Sequence, residues 1–235
     1  MTSRTVLFLA VDRMEGVRTP RLARLDAAWG APRCLVQICG EVVWDGDSER
    51  YAHFDLETIR VGGAAATADR LARYATRVAL CEQPLLVSFG GRRTLLPALR
   101  WLAVIHGVPF PEITCISSRV GTVFGRLPPP VHFDIAQYLG LGGYRPEMVL
   151  AALATACGVS DALVRDMRRA TLGGALLRVV ATALIYFRLA YVAGRLSGEA
   201  RIRAEHAVLD LLVRRFPNRG AAVALWQSLE GVCTT

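Results

Sequence analysis

Residues 84–109 read PLLVSFGGRRTLLPALRWLAVIHGVP, and the reading of this stretch decides the fold. Leu85, Leu86, Val87, Ser88 and Phe89 form an apolar run of strand length that stops at a glycine pair, the pattern of a buried strand. Gly90-Gly91-Arg92-Arg93 supplies the turn. Thr94 to Ile105 carries a helical pattern with Pro97 in its first turn, where the missing proline N–H would have no helical partner anyway. A strand, a glycine turn and a helix bring bare backbone to a surface, so a ligand or phosphate can approach closely.

Upstream, Thr5 to Asp12 reads as a buried strand ending in a carboxylate, and Arg13 to Gly30 as an arginine-rich loop. Arg33 to Trp44 is a second strand with a bend or bulge at Gly40, Asp45-Gly46-Asp47 a turn, and Arg50 to Ile59 a third strand. Thr67 to Gln83 is a helix, with Leu71, Ala75 and Val78 at helical spacing and an Asp69–Arg73 pair one turn apart. Downstream, Pro128-Pro129-Pro130 forms a stiff connector and Val131 to Ile135 a short strand or helix entry. Helices follow over Pro146 to Cys157, Asp161 to Arg169 and Leu176 to Arg195. Another begins at a Ser197 cap and runs to Phe216, and a short last one carries Trp226. The expected organisation is an α/β domain over 1–196 with a helical extension, 197–235, packed on it.

The chain has 235 residues, 53% of them hydrophobic, which excludes general disorder. Its net charge is +8, and all 28 basic residues are arginine, so an acidic partner is expected, nucleic acid before an anionic surface. The six cysteines show no CxxC spacing and read as reduced thiols rather than a zinc site, which fits a cytoplasmic or, in a eukaryotic or viral setting, nuclear protein. Leu172 to Gly194 is the most apolar window, but Arg178 and Arg188 interrupt it. It reads as a core helix and not as a membrane span.

The glycine-turn stretch resembles the second motif of bacterial 3′→5′ exonucleases related to the proofreading domain of family B DNA polymerases. Leu86, Val87, Ser88, Phe89, Gly91, Leu96, Pro97, Leu99, His106, Gly107 and Val108 match it in register. The motif's Asn falls on Gly90, its Phe on Thr94 and its metal-binding Asp on Leu95. A late helix of the family is matched at Val179, Thr182, Leu184, Tyr186, Arg188, Gly194 and Leu196, but its acid falls on Arg178 and its Tyr on Gly174. His132 and Asp134 match a His-x-Asp element that is not part of the metal set. The resemblance implies a ribonuclease-H-like mixed sheet flanked by helices, with a helical C-terminal region.

Two assignments of the first motif stand side by side. By topology it belongs on the first strand, with its Asp on Asp12 and its Glu on Met14; Glu15 is one residue out and would face the other way on a strand. By letter it is Asp55-Leu56-Glu57-Thr58, although the interval from Ile59 to Leu85 has room for only one helix. Under either assignment the family's acids are depleted and Arg178 adds positive charge. Two unit charges 4 Å apart interact by about 4 kcal/mol at an effective dielectric near 20, so exchanging attraction for repulsion disfavours bound metal strongly. The expectation is a catalytically inactive exonuclease-like protein without cofactor. It would act as a nucleic-acid-binding or scaffolding subunit of a replication, repair or nucleic-acid-processing complex, holding nucleic acid, single-stranded by preference, through Gly90, Gly91, Arg92, Arg93 and Arg178. The alternative is an active Mg- or Mn-dependent exonuclease with a site rebuilt from Asp55, Glu57 and Asp134 with Asp161 or Asp166. His53, His106, His132 and His206 read as structural, Arg178 as the partner of an acid such as Asp12, and Trp101 as core.

Overall fold

The first strand, β1 (Ser3–Val11), lies at the centre of a sheet, and alternation along it assigns the layers. Val6 and Phe8 point into one core and Leu7 and Leu9 into another, all of them 2% exposed or less. The structure is a computed structural model that describes residues 3–11, 34–45, 48–60, 64–81, 84–92, 95–111, 131–141, 144–156, 161–168 and 172–215. Asp12, Met14, Arg93, the connector up to Pro130 and the helix expected around Trp226 lie outside the described residues.

Strands β2 (Cys34–Asp45) and β3 (Ser48–Arg60) run antiparallel beside β1, and β4 (Leu85–Ser88) and β5 (Val131–Asp134) run parallel to it on the other side, in the order β3-β2-β1-β4-β5. The β2–β3 register slips between Cys39 and Glu41, so the bulge expected at Gly40 is present. A Cβ on Gly40 would sit 2.5 Å from the Phe54 ring, which uses that space to reach Phe187, 5.9 Å away between centroids.

Helices α1 (Ala64–Leu80) and α2 (Leu95–His106) cover the Leu7/Leu9 face, where Leu71, Tyr74, Val78, Leu96 and Leu99 join Leu86 of β4. The other face carries α3 (Ile135–Tyr138), α4 (Pro146–Ala156), α5 (Asp161–Met167), α6 (Leu172–Val192) and α7 (Gly198–Arg215). The result is a mixed α/β fold of three layers, with seven helices among the described residues. Helix α6 is long and apolar enough to cross a membrane, but 72% of that window is buried, and it packs on β1 and β2 as the central core helix. Phe8, Tyr51, Phe54, Phe133, Tyr186 and Phe187 form an aromatic cluster beneath it, with the Tyr51 and Tyr186 hydroxyls 3.3 Å apart.

The expected boundary at 196/197 falls between α6 and α7, and α7 shares the core: Val208, Leu209 and Leu212 belong to the same cluster as Phe8. Ser197 caps it as expected, its Oγ accepting from Ala200 N at 3.1 Å. Glu205, only 2% exposed, ties α7 to α6 by accepting from Arg201 at 3.1 Å and Arg188 at 3.4 Å.

On the helix over Leu95–His106 one expectation does not hold. Trp101 is 40% exposed and not core, because apolar residues lie on more than one side of α2 and only Leu95, Leu96, Ala98, Leu99, Leu102 and Ala103 are buried. The His106-Gly107-Val108 sequence is a helix end: Gly107 has φ of +62°, and Val108 N donates back to Ala103 O at 2.9 Å while its side chain is buried.

Candidate functional site

Parallel strands carry their following turns on one edge of the sheet, and here β4 and β5 end side by side, Ser88 opposite Asp134. Asp134 is 7% exposed, and its carboxylate holds three backbone amides. Oδ1 accepts from Gly90 N at 2.8 Å and from Ala136 N at 3.1 Å, and Oδ2 accepts from Arg92 N at 2.9 Å. One side chain therefore caps α3 and closes the turn after β4.

This alters the phosphate cradle expected at Gly90 and Gly91. The turn does form an anion-binding concavity, but the anion on two of its amides is the protein's own Asp134. Gly90 contributes its backbone conformation, φ +67°, and Gly91 its lack of a side chain. A Cβ on Gly91 would lie 2.0 Å from Ser88 Oγ and 2.5 Å from Ser88 Cβ. The Gly90 and Arg92 amides are thus already taken up within the chain. Arg92 is exposed and its guanidinium donates to Gln137 Oε1 at 2.8 Å.

Beneath the turn, Ser88 Oγ is 2.8 Å from His132 Nε2. Burial lowers the His132 pKa, the Arg92 and Arg100 guanidiniums lower it further, and Asp134 offsets part of the effect. A serine, a histidine and an aspartate in one place raise the question of a nucleophile. Ser88 is 1% exposed and lies under Gly91, so no substrate carbonyl reaches its hydroxyl, while the Asp134 oxygens serve the amides. The group acts as a latch joining the ends of β4 and β5. Sequence pattern missed this latch, since Ser88 and His132 lie far apart in the chain; the signal was a polar residue inside each of two short apolar runs.

The positions aligned with metal-binding acids have different surroundings. Leu95 opens α2 and is 2% exposed among Leu7, Leu9 and Leu86. Arg178 lies half-buried on α6 and donates to the carbonyl of Met167, the last residue of α5, so at least one of its donors braces a helix end. Asp12 and Met14 follow β1, outside the described residues. The alternative set does not converge: Asp55 is exposed on β3, its Oδ1 accepting from Leu56 N at 2.8 Å, and β3 and β5 are opposite edges of the sheet. Four strand spacings separate them, about 19 Å at about 4.8 Å each, far beyond the span of a shared metal pair. Glu57 is on the same edge strand as Asp55, whereas Asp161 and Asp166 are on α5. Among the described residues, no three His, Cys, Asp or Glu side chains form a group able to hold a metal ion.

His53 is exposed, with φ of +54°, and His106 and His206 are half-buried on helices. Cys81 is a free, half-buried thiol whose pKa is raised by burial. Set against protein-family models, curated proteins and solved structures, the chain finds no match.

Proposed function

We propose that this chain is a catalytically inactive, exonuclease-like protein with a ribonuclease-H-like sheet, which binds single-stranded nucleic acid as a subunit of a larger complex. The strand order β3-β2-β1-β4-β5, three antiparallel strands followed by two parallel ones, is in keeping with that fold. The observation that carries the loss of activity is Leu95. Where the resembling motif places a metal-binding acid, this chain has an aliphatic side chain 2% exposed in the inner core, out of reach of metal and water. Arg92, exposed beside the closed turn, is the described group best placed for phosphate, with Arg93 next to it in sequence. The net charge of +8 draws a polyanion to the surface.

A protein partner has its own support. Trp101, Val104 and Ile105 are 40%, 73% and 53% exposed and fall on one stripe of α2, an apolar surface of the kind that marks protein contacts. In the inactive reading no cofactor is needed; Mg or Mn belongs only to the alternative of an active exonuclease, which the separation of Asp55 from Asp134 disfavours.

The test is incubation of purified protein with end-labelled single-stranded DNA and RNA in Mg²⁺ or Mn²⁺. The expected result is no shortening of either strand, together with binding that weakens as salt rises. Three phosphate contacts on a single strand give a slope of about −2, or roughly a twenty-fold loss between 50 and 200 mM salt. Processive 3′→5′ cleavage that disappears on Asp55→Asn would establish the active alternative instead.

A further inference from the structure

We infer that Tyr138 is a stacking platform for an unpaired nucleobase, set beside Arg92 so that base and phosphate of one strand are held together. The inference rests on the nucleic-acid reading above and extends it from charge to base contact. Tyr138 ends α3 and is 62% exposed. The ring is not loose. It leans on Phe133 at 5.1 Å between centroids, and Phe133 leans on Tyr186 of the buried cluster at 5.7 Å, so one aromatic tier runs from the core to the surface.

The chain then turns sharply away. Gly140 takes φ of +71°, and Leu141 N donates back to Ala136 O at 2.8 Å, which leaves the outer side of the ring to solvent. The preceding residue, Gln137, accepts from the Arg92 guanidinium. The anchored aromatic ring thus follows directly in sequence the carboxamide that holds the Arg92 guanidinium. Asp134, four residues before Tyr138, is turned inward onto three amides. Single-stranded nucleic acids are bound by this combination of stacking on aromatic faces and backbone contacts from arginine. A double-stranded helix hides its base faces and would gain nothing from the ring.

The experiment measures fluorescence anisotropy of a fluorescein-labelled oligothymidylate and of an abasic strand of equal length. Each is titrated with wild-type protein, Tyr138→Leu, Tyr138→Trp and Arg92→Glu, and urea midpoints confirm that every variant is folded. Tyr138→Leu is expected to weaken oligothymidylate binding about tenfold, the equivalent of about 1.4 kcal/mol, and Tyr138→Trp to retain it. The abasic strand should not distinguish Tyr138→Leu from wild type, whereas Arg92→Glu should weaken both strands. Unchanged oligothymidylate affinity in Tyr138→Leu overturns the platform while leaving nucleic-acid binding intact. No binding of either strand by the wild-type protein overturns both readings, and would return the exposed ring to a protein contact.

Discussion

Replacing Asp134 tests whether one carboxylate holds the candidate site together. It accepts from Gly90, Arg92 and Ala136, and the Gly90 and Ala136 residues are buried while Arg92 is exposed. In Asp134→Ala the two buried amides lose their acceptor, at about 1–3 kcal/mol each, while water can satisfy the Arg92 amide. The N-cap loss of α3 is the same Ala136 bond and is not added again. Partial relaxation brings the sum to about 3–4 kcal/mol, a large share of the stability typical of a folded domain. Asp134→Asn keeps one acceptor oxygen but turns an NH₂ group towards one amide, so its expected cost is about 1–2 kcal/mol. Urea unfolding followed by far-UV circular dichroism and tryptophan fluorescence gives the midpoints, compared at equal m. An alanine variant within about 0.5 kcal/mol of wild type would refute the reasoning, because the amides would then have other acceptors. Binding should move the opposite way from stability: Asp134→Asn removes an inward negative charge and leaves one amide without its acceptor, so it should bind an oligonucleotide more tightly than wild type.

Gly91→Ala should cost about 2 kcal/mol or more from overpacking against Ser88, and adding Ser88→Ala should not restore stability because the Ser88 Cβ, 2.5 Å away, remains; thermal melts of the single and double variants decide. His132 has a folded-state pKa below its ordinary value, so the folded state prefers the neutral ring: its contribution is complete above about pH 6.5 and is lost as pH falls through the lowered folded value. His132→Gln, still facing Asp134, Arg92 and Arg100, should therefore show a flatter decline in urea midpoint than wild type between pH 7 and pH 5. Glu205→Ala leaves Arg188 and Arg201 without their shared buried acid between α6 and α7 and should destabilise by about 3 kcal/mol, whereas a loss under about 1 kcal/mol would show that the pair is solvated.

The residues that carry the exonuclease resemblance turn out to have identifiable structural duties. Ser88 and Gly91 pack on each other, Leu96 and Leu99 fill the inner core, and Gly107 and Val108 end α2. On α6, Tyr186 meets Tyr51, Arg188 meets Glu205, and Thr182 Oγ1 bonds back to the Arg178 carbonyl at 2.8 Å. A motif of this kind was legible because caps, glycine contacts and core positions are local demands. The resemblance also put a leucine and an arginine, Leu95 and Arg178, where its motifs have acids, but what surrounds those two side chains was not legible.

Sequence by itself determined most of the elements: apolar runs, helical spacing, glycine stops and the Ser197 cap placed four of the five described strands and most helix ends within a few residues, leaving Val131 to Ile135 open between strand and helix entry, because hydrophobic pattern and backbone stereochemistry act over neighbouring residues. Only the tertiary structure decided which face of the largely apolar α2 is buried, that Asp134 closes the glycine turn from 42 residues beyond Arg92, and that Asp55 and Asp134 stand on opposite edges of the sheet. Those outcomes depend on strand order and on hydrogen bonds between distant segments, and such pairings leave no periodic trace in the order of residues.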